Sequence, residues 1–144
     1  MDERRPILLV EDNPMDVELA LRALTRHKVV NPVEVARDGE EVLARMASWD
    51  AGAPLPVLVL LDTGLPKISG LEVLRRLKGH TKYRVIPVVM LTSSNRPSDL
   101  QDAYEAGVNS YLVKPVDFKT FVEMIGSLHS YWCNINTLPK EAKD

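Results

Sequence analysis

Short apolar runs alternate with longer amphipathic stretches along nearly the whole chain. Five runs, Ile7 to Val10, Val33 to Val35, Val57 to Leu61, Ile86 to Leu91 and Tyr111 to Val113, are too short for helices and predict strands. Three of them are almost continuous in Val, Ile and Leu, as parallel strands covered on both faces should be, whereas VEVAR alternates and is expected nearer an edge. Helix signals fill the gaps. Asn13 reads as an N-cap with Pro14 at the first helical position and Asp16 in the first turn, followed by Val17, Ala20, Leu21 and Leu24 on one face. Asp38 opens a second helix with Glu41 in capping-box spacing and Val42, Leu43 and Met46 directed inward. A third follows Ser69 and Gly70, presents Leu71, Val73, Leu74 and Leu77, and stops at Gly79. A fourth starts near Pro97, carries Leu100, Ala103 and Tyr104, and is capped by Gly107. The fifth runs from Asp117 through Phe118, Phe121, Val122, Ile125 and Leu128 towards Trp132.

This alternation predicts an α/β fold, a (βα)5 doubly wound five-stranded parallel sheet with right-handed crossovers. Residues 1–130 read as one domain and residues 131–144 as a tail. The tail's tip, from Pro139 to Asp144, looks disordered, but Tyr131, Trp132, Ile135 and Leu138 are too apolar for solvated linker and are expected to contact a symmetric partner.

Composition narrows the class. The chain has 144 residues, enough for one core but not two domains. A single cysteine, Cys133, excludes an internal disulfide and suits a reducing compartment. The net charge of −2 argues against nonspecific nucleic-acid binding. No apolar run approaches the roughly 20 residues of a membrane span, and the acidic start is unlike a secretory signal, so a cytoplasmic location is expected.

In such a sheet, ligands bind outside the carboxyl ends of the strands. Glu11 and Asp12 follow the first strand, Asp62 the third, Thr92 and Ser93 the fourth, and Lys114 with Pro115 the fifth. Three carboxylates in one place repel one another unless a cation sits among them. Mg2+ fits, because it takes oxygen ligands and joins carboxylates to phosphates. Asp12 and Asp62 are candidate direct ligands, Glu11 a candidate holder of a bound water, and the Gly64 carbonyl a third protein ligand if the chain turns back after Asp62. The set suits phosphoryl transfer onto Asp62, with Lys114 and Thr92 on the phosphoryl oxygens, since an ionised carboxylate needs no base to attack.

Over residues 4–130 these motifs resemble the receiver domain of two-component response regulators: VEDN with Glu11 and Asp12, LLDTGLPKISG with Asp62, Pro66 and Gly70, LTSS with Thr92, and YLVKP with Tyr111, Lys114 and Pro115. The resemblance implies a flavodoxin-like receiver fold, phosphorylation of Asp62 by a partner histidine kinase, Mg2+ on Asp12 and Asp62, a cis Lys114–Pro115 peptide, and Tyr111 turning inward as Thr92 engages the phosphoryl group. EDNPMDVELALRAL, VVNPVEVARDGEEVL, KYRVIPVVMLTSS and the late tryptophan with Leu138 and Pro139 are similar to the single-domain regulators paired with phytochrome-type histidine kinases. A bacteriophytochrome partner is the corresponding expectation, with light sensing left to that partner. Thr63 and Gly64 depart from those relatives, and Gly64, a bare backbone near the acyl phosphate, should with Ser94 influence the lifetime of the phosphate. With no output domain visible, the signal is expected to leave through a noncovalent partner, a homodimer or onward phosphotransfer to another protein. Slow self-dephosphorylation is expected, but no metabolic activity.

Two rival readings are weaker. Asp62, Thr63 and Gly64 form the triplet of aspartic proteases, but those need two opposed carboxylates on an all-β scaffold. An inert receiver-like module would not need the complete set of carboxylates, hydroxyl and lysine.

Overall fold

The computed structural model describes residues 5–140. Five strands and five helices alternate: β1 (Ile7–Val10), α1 (Pro14–Arg26), β2 (Val33–Ala36), α2 (Gly39–Asp50), β3 (Leu58–Leu61), α3 (Gly70–Gly79), β4 (Val88–Thr92), α4 (Pro97–Glu105), β5 (Ser110–Val113) and α5 (Phe118–His129). All strand pairs are parallel, in the order β2-β1-β3-β4-β5. The alternating VEVA strand, β2, lies at one edge, as its pattern predicts.

Strand pleating divides the core in two. Leu8, Val10, Val59, Leu61, Val88 and Met90 pack with α2, α3 and α4 residues such as Val42, Leu74 and Ala103. Ile7, Leu9, Leu58, Leu60, Val89 and Leu91 pack with Val17 and Leu24 of α1 and Ile125 and Leu128 of α5. The helices start where local chemistry requires. Asn13 Oδ1 accepts from the Met15 and Asp16 amides, Asp38 from Glu41, Ser69 from Glu72 and Asp117 from Thr120. Gly107, at φ +97°, ends α4 in the left-handed conformation that favours glycine.

Strand ends differ from expectation by one or two residues, and two differences at element ends bear on the site and the tail. The fourth strand begins at Val88 rather than Ile86, because Pro87 has no amide to donate and the Ile86 amide turns back to the Tyr83 carbonyl. Thr92, expected just after the strand, is its last residue. At the other end of the chain, α5 passes into a π-helical turn, Ser130–Ile135. That turn buries Cys133, and Trp132 and Leu138 pack against the α1/α5 side of the core, while Tyr131 and Ile135 stay exposed. The expected disorder of the tail's tip falls largely on residues 141–144, outside the described residues.

Candidate functional site

The site is built at the carboxyl ends of β1, β3, β4 and β5. At β1, β3 and β5 the backbone is pinned by a ladder hydrogen bond that runs one residue past the strand: Glu11 N to Ala36 O, Asp62 N to Val10 O, and Lys114 N to Thr92 O. Strand register thus places Glu11, Asp62, Thr92 and Lys114 side by side although the first and last are 103 residues apart.

Carboxylate oxygens of Glu11, Asp12 and Asp62 lie within 4.8 Å of one another. Lys114 Nζ donates to Glu11 Oε1 at 2.7 Å and to Asp16 Oδ2 at 3.3 Å, and stands 3.9 Å from Asp62 Oδ1. Three carboxylates therefore share one ammonium, and a fourth, Asp12, lies beside two of them, a surplus of negative charge. Burial raises the Glu11 pKa above its ordinary value, and the Asp62 charge adds to this against the bond from Lys114. Burial pulls the Lys114 pKa down, but the hydrogen bond to Glu11 and the charges of Asp62, Glu11 and Asp16 outweigh it, and the ammonium is held above its usual range. Both shifts have the sign that excess negative charge demands. A divalent cation fits this donor set: the oxygens are hard, close together and electrostatically under-compensated.

Around Asp62, Thr92 is 2% exposed and its Oγ1 lies 2.7 Å from Thr63 Oγ1, while the Ser94 amide donates to Thr92 Oγ1 at 3.1 Å. Tyr111 points inward, its hydroxyl donating to the Ser94 carbonyl at 2.8 Å. Gly70 is a packing requirement. A Cβ there would lie 2.3 Å from the Asp62 carbonyl oxygen and 2.8 Å from Thr63 Cα, so only glycine lets α3 press on the acceptor loop. Gly64 is different, since an added Cβ would have only Asp62 Oδ2 nearby, at 3.8 Å. A cavity of about 150 Å3 adjoins the cluster, lined by Glu11, Asp16, Asp62 and Lys114 and by apolar residues including Leu19 and Phe121.

The structure thus brings together Glu11, Asp12, Asp62, Thr92, Lys114 and, behind them, Tyr111. Asp16 and Thr63 are partners that sequence reasoning missed. Asp16 is placed by the Asn13 cap within reach of Lys114, and Thr63 by its adjacency to Asp62. One expectation is corrected: no cis peptide occurs among the described residues, so Lys114–Pro115 is trans. The trans form is intrinsically favoured by about 0.5–1 kcal/mol before proline. Here Lys114 reaches Glu11, Asp16 and Asp62 from a trans backbone, so aiming the ammonium does not require the isomer.

Comparison with known proteins gives the class. Residues 7–126 match the response regulator receiver domain, and the chain belongs to that family. Phosphorylation on aspartate with Mg2+ is general for the family. It is 41% identical over 137 residues to the Probable methanogenesis regulatory protein FilR2 of Methanothrix harundinacea, spanning 94% of this chain and 88% of that protein. Among solved structures it is similar to the phosphorylated cyanobacterial phytochrome response regulator RcpA, at 34% identity and TM-score 0.87, covering 95% of this chain and 99% of the other. It is 48% identical to the bacteriophytochrome response regulator AtBRR, with TM-score 0.73 and coverage of 94% and 100%. Among the described residues no helix is long and apolar enough to cross a membrane.

Proposed function

We propose that Asp62 is the phosphoacceptor of this receiver and that the donor is the phosphohistidine of a sensor kinase of the phytochrome type. The observation that carries this is the convergence of Glu11, Asp16 and Asp62 around the Lys114 ammonium, with Thr92 beside them. In the transfer, an Asp62 carboxylate oxygen forms a bond to phosphorus as the bond to the histidine nitrogen breaks. The electron pair leaves with the imidazole, and no proton is removed from the nucleophile. Lys114 offers its ammonium to one phosphoryl oxygen and Thr92 its hydroxyl to another, fixed charges and dipoles aimed where negative charge gathers. Asp12 and Asp62, with the Gly64 carbonyl and a water on Glu11, would hold Mg2+, which supplies charge neutralisation when bound. Slow hydrolysis of the acyl phosphate resets the protein, at a rate set in part by Gly64 and Ser94.

The names of the phytochrome-linked relatives and the sequence motifs support the kinase class. Cys133, buried and unpaired, suits a reducing cytoplasm. The exposed Tyr131 and Ile135 offer a contact for a homodimer, with Trp132 and Leu138 supporting them from below; output passes through that dimer or through a downstream phosphotransfer protein. Intact-mass measurement after incubation with acetyl phosphate and Mg2+ tests the chemistry. One phosphoryl mass on the wild type, lost on hydroxylamine treatment and missing in Asp62→Asn, is expected, and equal labelling of the variant refutes Asp62.

A further inference from the structure

We propose that Thr63 is a positioning residue for phosphoryl transfer, its hydroxyl holding that of Thr92 so that the Thr92 proton is presented to a phosphoryl oxygen. This rests on the reading of Asp62 as phosphoacceptor. A threonine hydroxyl has one proton and two acceptor positions. Thr92 Oγ1 already accepts the Ser94 amide at 3.1 Å, and the Thr63 hydroxyl lies 2.7 Å away. When Thr63 donates, both acceptor positions of Thr92 are filled and its only proton must point elsewhere. Thr92 is 2% exposed, so bulk water competes little for that proton. An anion on the neighbouring Asp62 selects this proton order over the reverse, because only this order leaves Thr92 free to donate. Hydrogen bonds in series polarise one another, so the donation from Thr63 also strengthens the one Thr92 makes.

The same oxygen opens a longer chain. The Ser94 amide donates to Thr92, the Ser94 carbonyl accepts from Tyr111, and the Ser94 hydroxyl donates to Asp99, which also pairs with Arg96 at 3.1 Å. Thr63 is thus the first link from the acceptor loop to the first turn of α4. Asp62 and Thr63 are consecutive, so the nucleophile and the group that aligns its donor share one loop, against which α3 packs too closely for a Cβ at Gly70.

Thr63→Val keeps the shape and removes the hydroxyl; Thr63→Ser keeps the hydroxyl. Labelling rates with acetyl phosphate and Mg2+ are followed by intact mass in the wild type, both Thr63 variants, Thr92→Val and the double valine variant. Thr63→Val should label about three- to tenfold more slowly, the factor one net hydrogen bond sets, and Thr63→Ser within about twofold of wild type. In the Thr92→Val background the Thr63→Val change should have no further effect. Equal slowing in both backgrounds, an unchanged rate, or a serine variant as slow as the valine overturns the proposal. The Ser94 amide resonance gives a second reading without turnover: it should shift in Thr63→Val and much less in Thr63→Ser, and a fixed resonance in both also overturns it. A wild-type chain that takes no label refutes the phosphoacceptor reading and this one with it, whereas a labelled wild type with indifferent Thr63 variants refutes this one alone.

Discussion

Gly70→Ala tests whether the acceptor loop is held by backbone contact. The added methyl would sit 2.3 Å from the Asp62 carbonyl oxygen and 2.8 Å from Thr63 Cα, where ordinary contacts begin at 3.4 Å. Relief needs a movement of about 1 Å, and both neighbours are backbone, so no flexible side chain can yield. Overpacking of this kind costs about 1–3 kcal/mol. The gain from alanine in a helix, about 1 kcal/mol in an interior, is smaller at the first helical position, where Gly70 stands. A net loss of about 1–2 kcal/mol remains, which lowers the melting temperature by about 3–8 °C for a domain of this size. Gly79→Ala is the control: a Cβ there meets nothing within 4 Å, and the backbone is not left-handed, so the same substitution should leave stability equal or higher. Thermal unfolding by circular dichroism compares the two, and acetyl phosphate labelling should slow in Gly70→Ala, since any accommodation displaces the Asp62 backbone. A Gly70→Ala protein as stable and as readily labelled as wild type would show that the close approach of α3 does not position the acceptor.

Other expectations concern pH and the tail. Lys78 donates to the Arg84 and Ile86 carbonyls, and burial pushes its pKa down from 10.5 to about 8. The unfolded chain therefore binds more protons than the folded one between those values, and stability should rise with pH across that window. Urea unfolding of wild type and Lys78→Met at pH 7.5 and 9.5 checks this; the wild type should gain relative to the variant at the higher pH, and a relative loss refutes it. Tyr131→Ser with Ile135→Ser removes the two exposed apolar side chains of the π-helical turn. If the turn mediates the proposed homodimer, sedimentation should give twice the chain mass for the wild type and the single-chain mass for the double variant, with little change in melting temperature; equal masses remove these residues from the interface.

Much of this was legible because the signals are local or periodic. The caps Asn13, Asp38, Ser69 and Asp117 each act within three residues, so the sequence carries them whole. Strand ends followed from the apolar runs, and with them the placement of Glu11, Asp62 and Lys114. What escaped depends on side-chain direction between distant elements. Asp16 was visible as a first-turn acid, but its pairing with Lys114 spans 98 residues and depends on α1 packing against α5, which follows β5 and Lys114 in the chain. The Thr63–Thr92 contact spans 29 residues and needs two hydroxyls to turn towards each other, which no periodicity encodes. The π-helical turn was equally hidden, because Tyr131, Trp132 and Ile135 fit an exposed apolar tail as well as a turn that buries Cys133 between them.

The charge arrangement of the site implies that function is maintained against stability, and Asp62→Asn tests this. With the Glu11 and Lys114 side chains only 5% and 18% exposed, the repulsion among the carboxylates is poorly screened, and the buried strands beneath must hold it in place. Two like charges about 5 Å apart repel by about 1–3 kcal/mol in surroundings between water and protein. Neutralising Asp62 relieves that repulsion but loses its attraction to Lys114 at 3.9 Å, so a net gain of about 1 kcal/mol is expected, a rise of about 3 °C in melting temperature. The gain should be largest near neutral pH. Because the Glu11 pKa is raised in the fold, the folded chain binds a proton more readily than the unfolded one, and stability falls as pH rises through the window above the ordinary value of 4.5. Acidification protonates Glu11 in the wild type and removes the repulsion that Asp62→Asn relieves, so the two proteins should converge. Millimolar Mg2+ should also narrow the difference, by stabilising the wild type through binding more than the variant. An Asp62→Asn protein less stable than wild type in EDTA at neutral pH would mean that the Lys114 attraction outweighs the repulsion and that the cluster is not under-compensated.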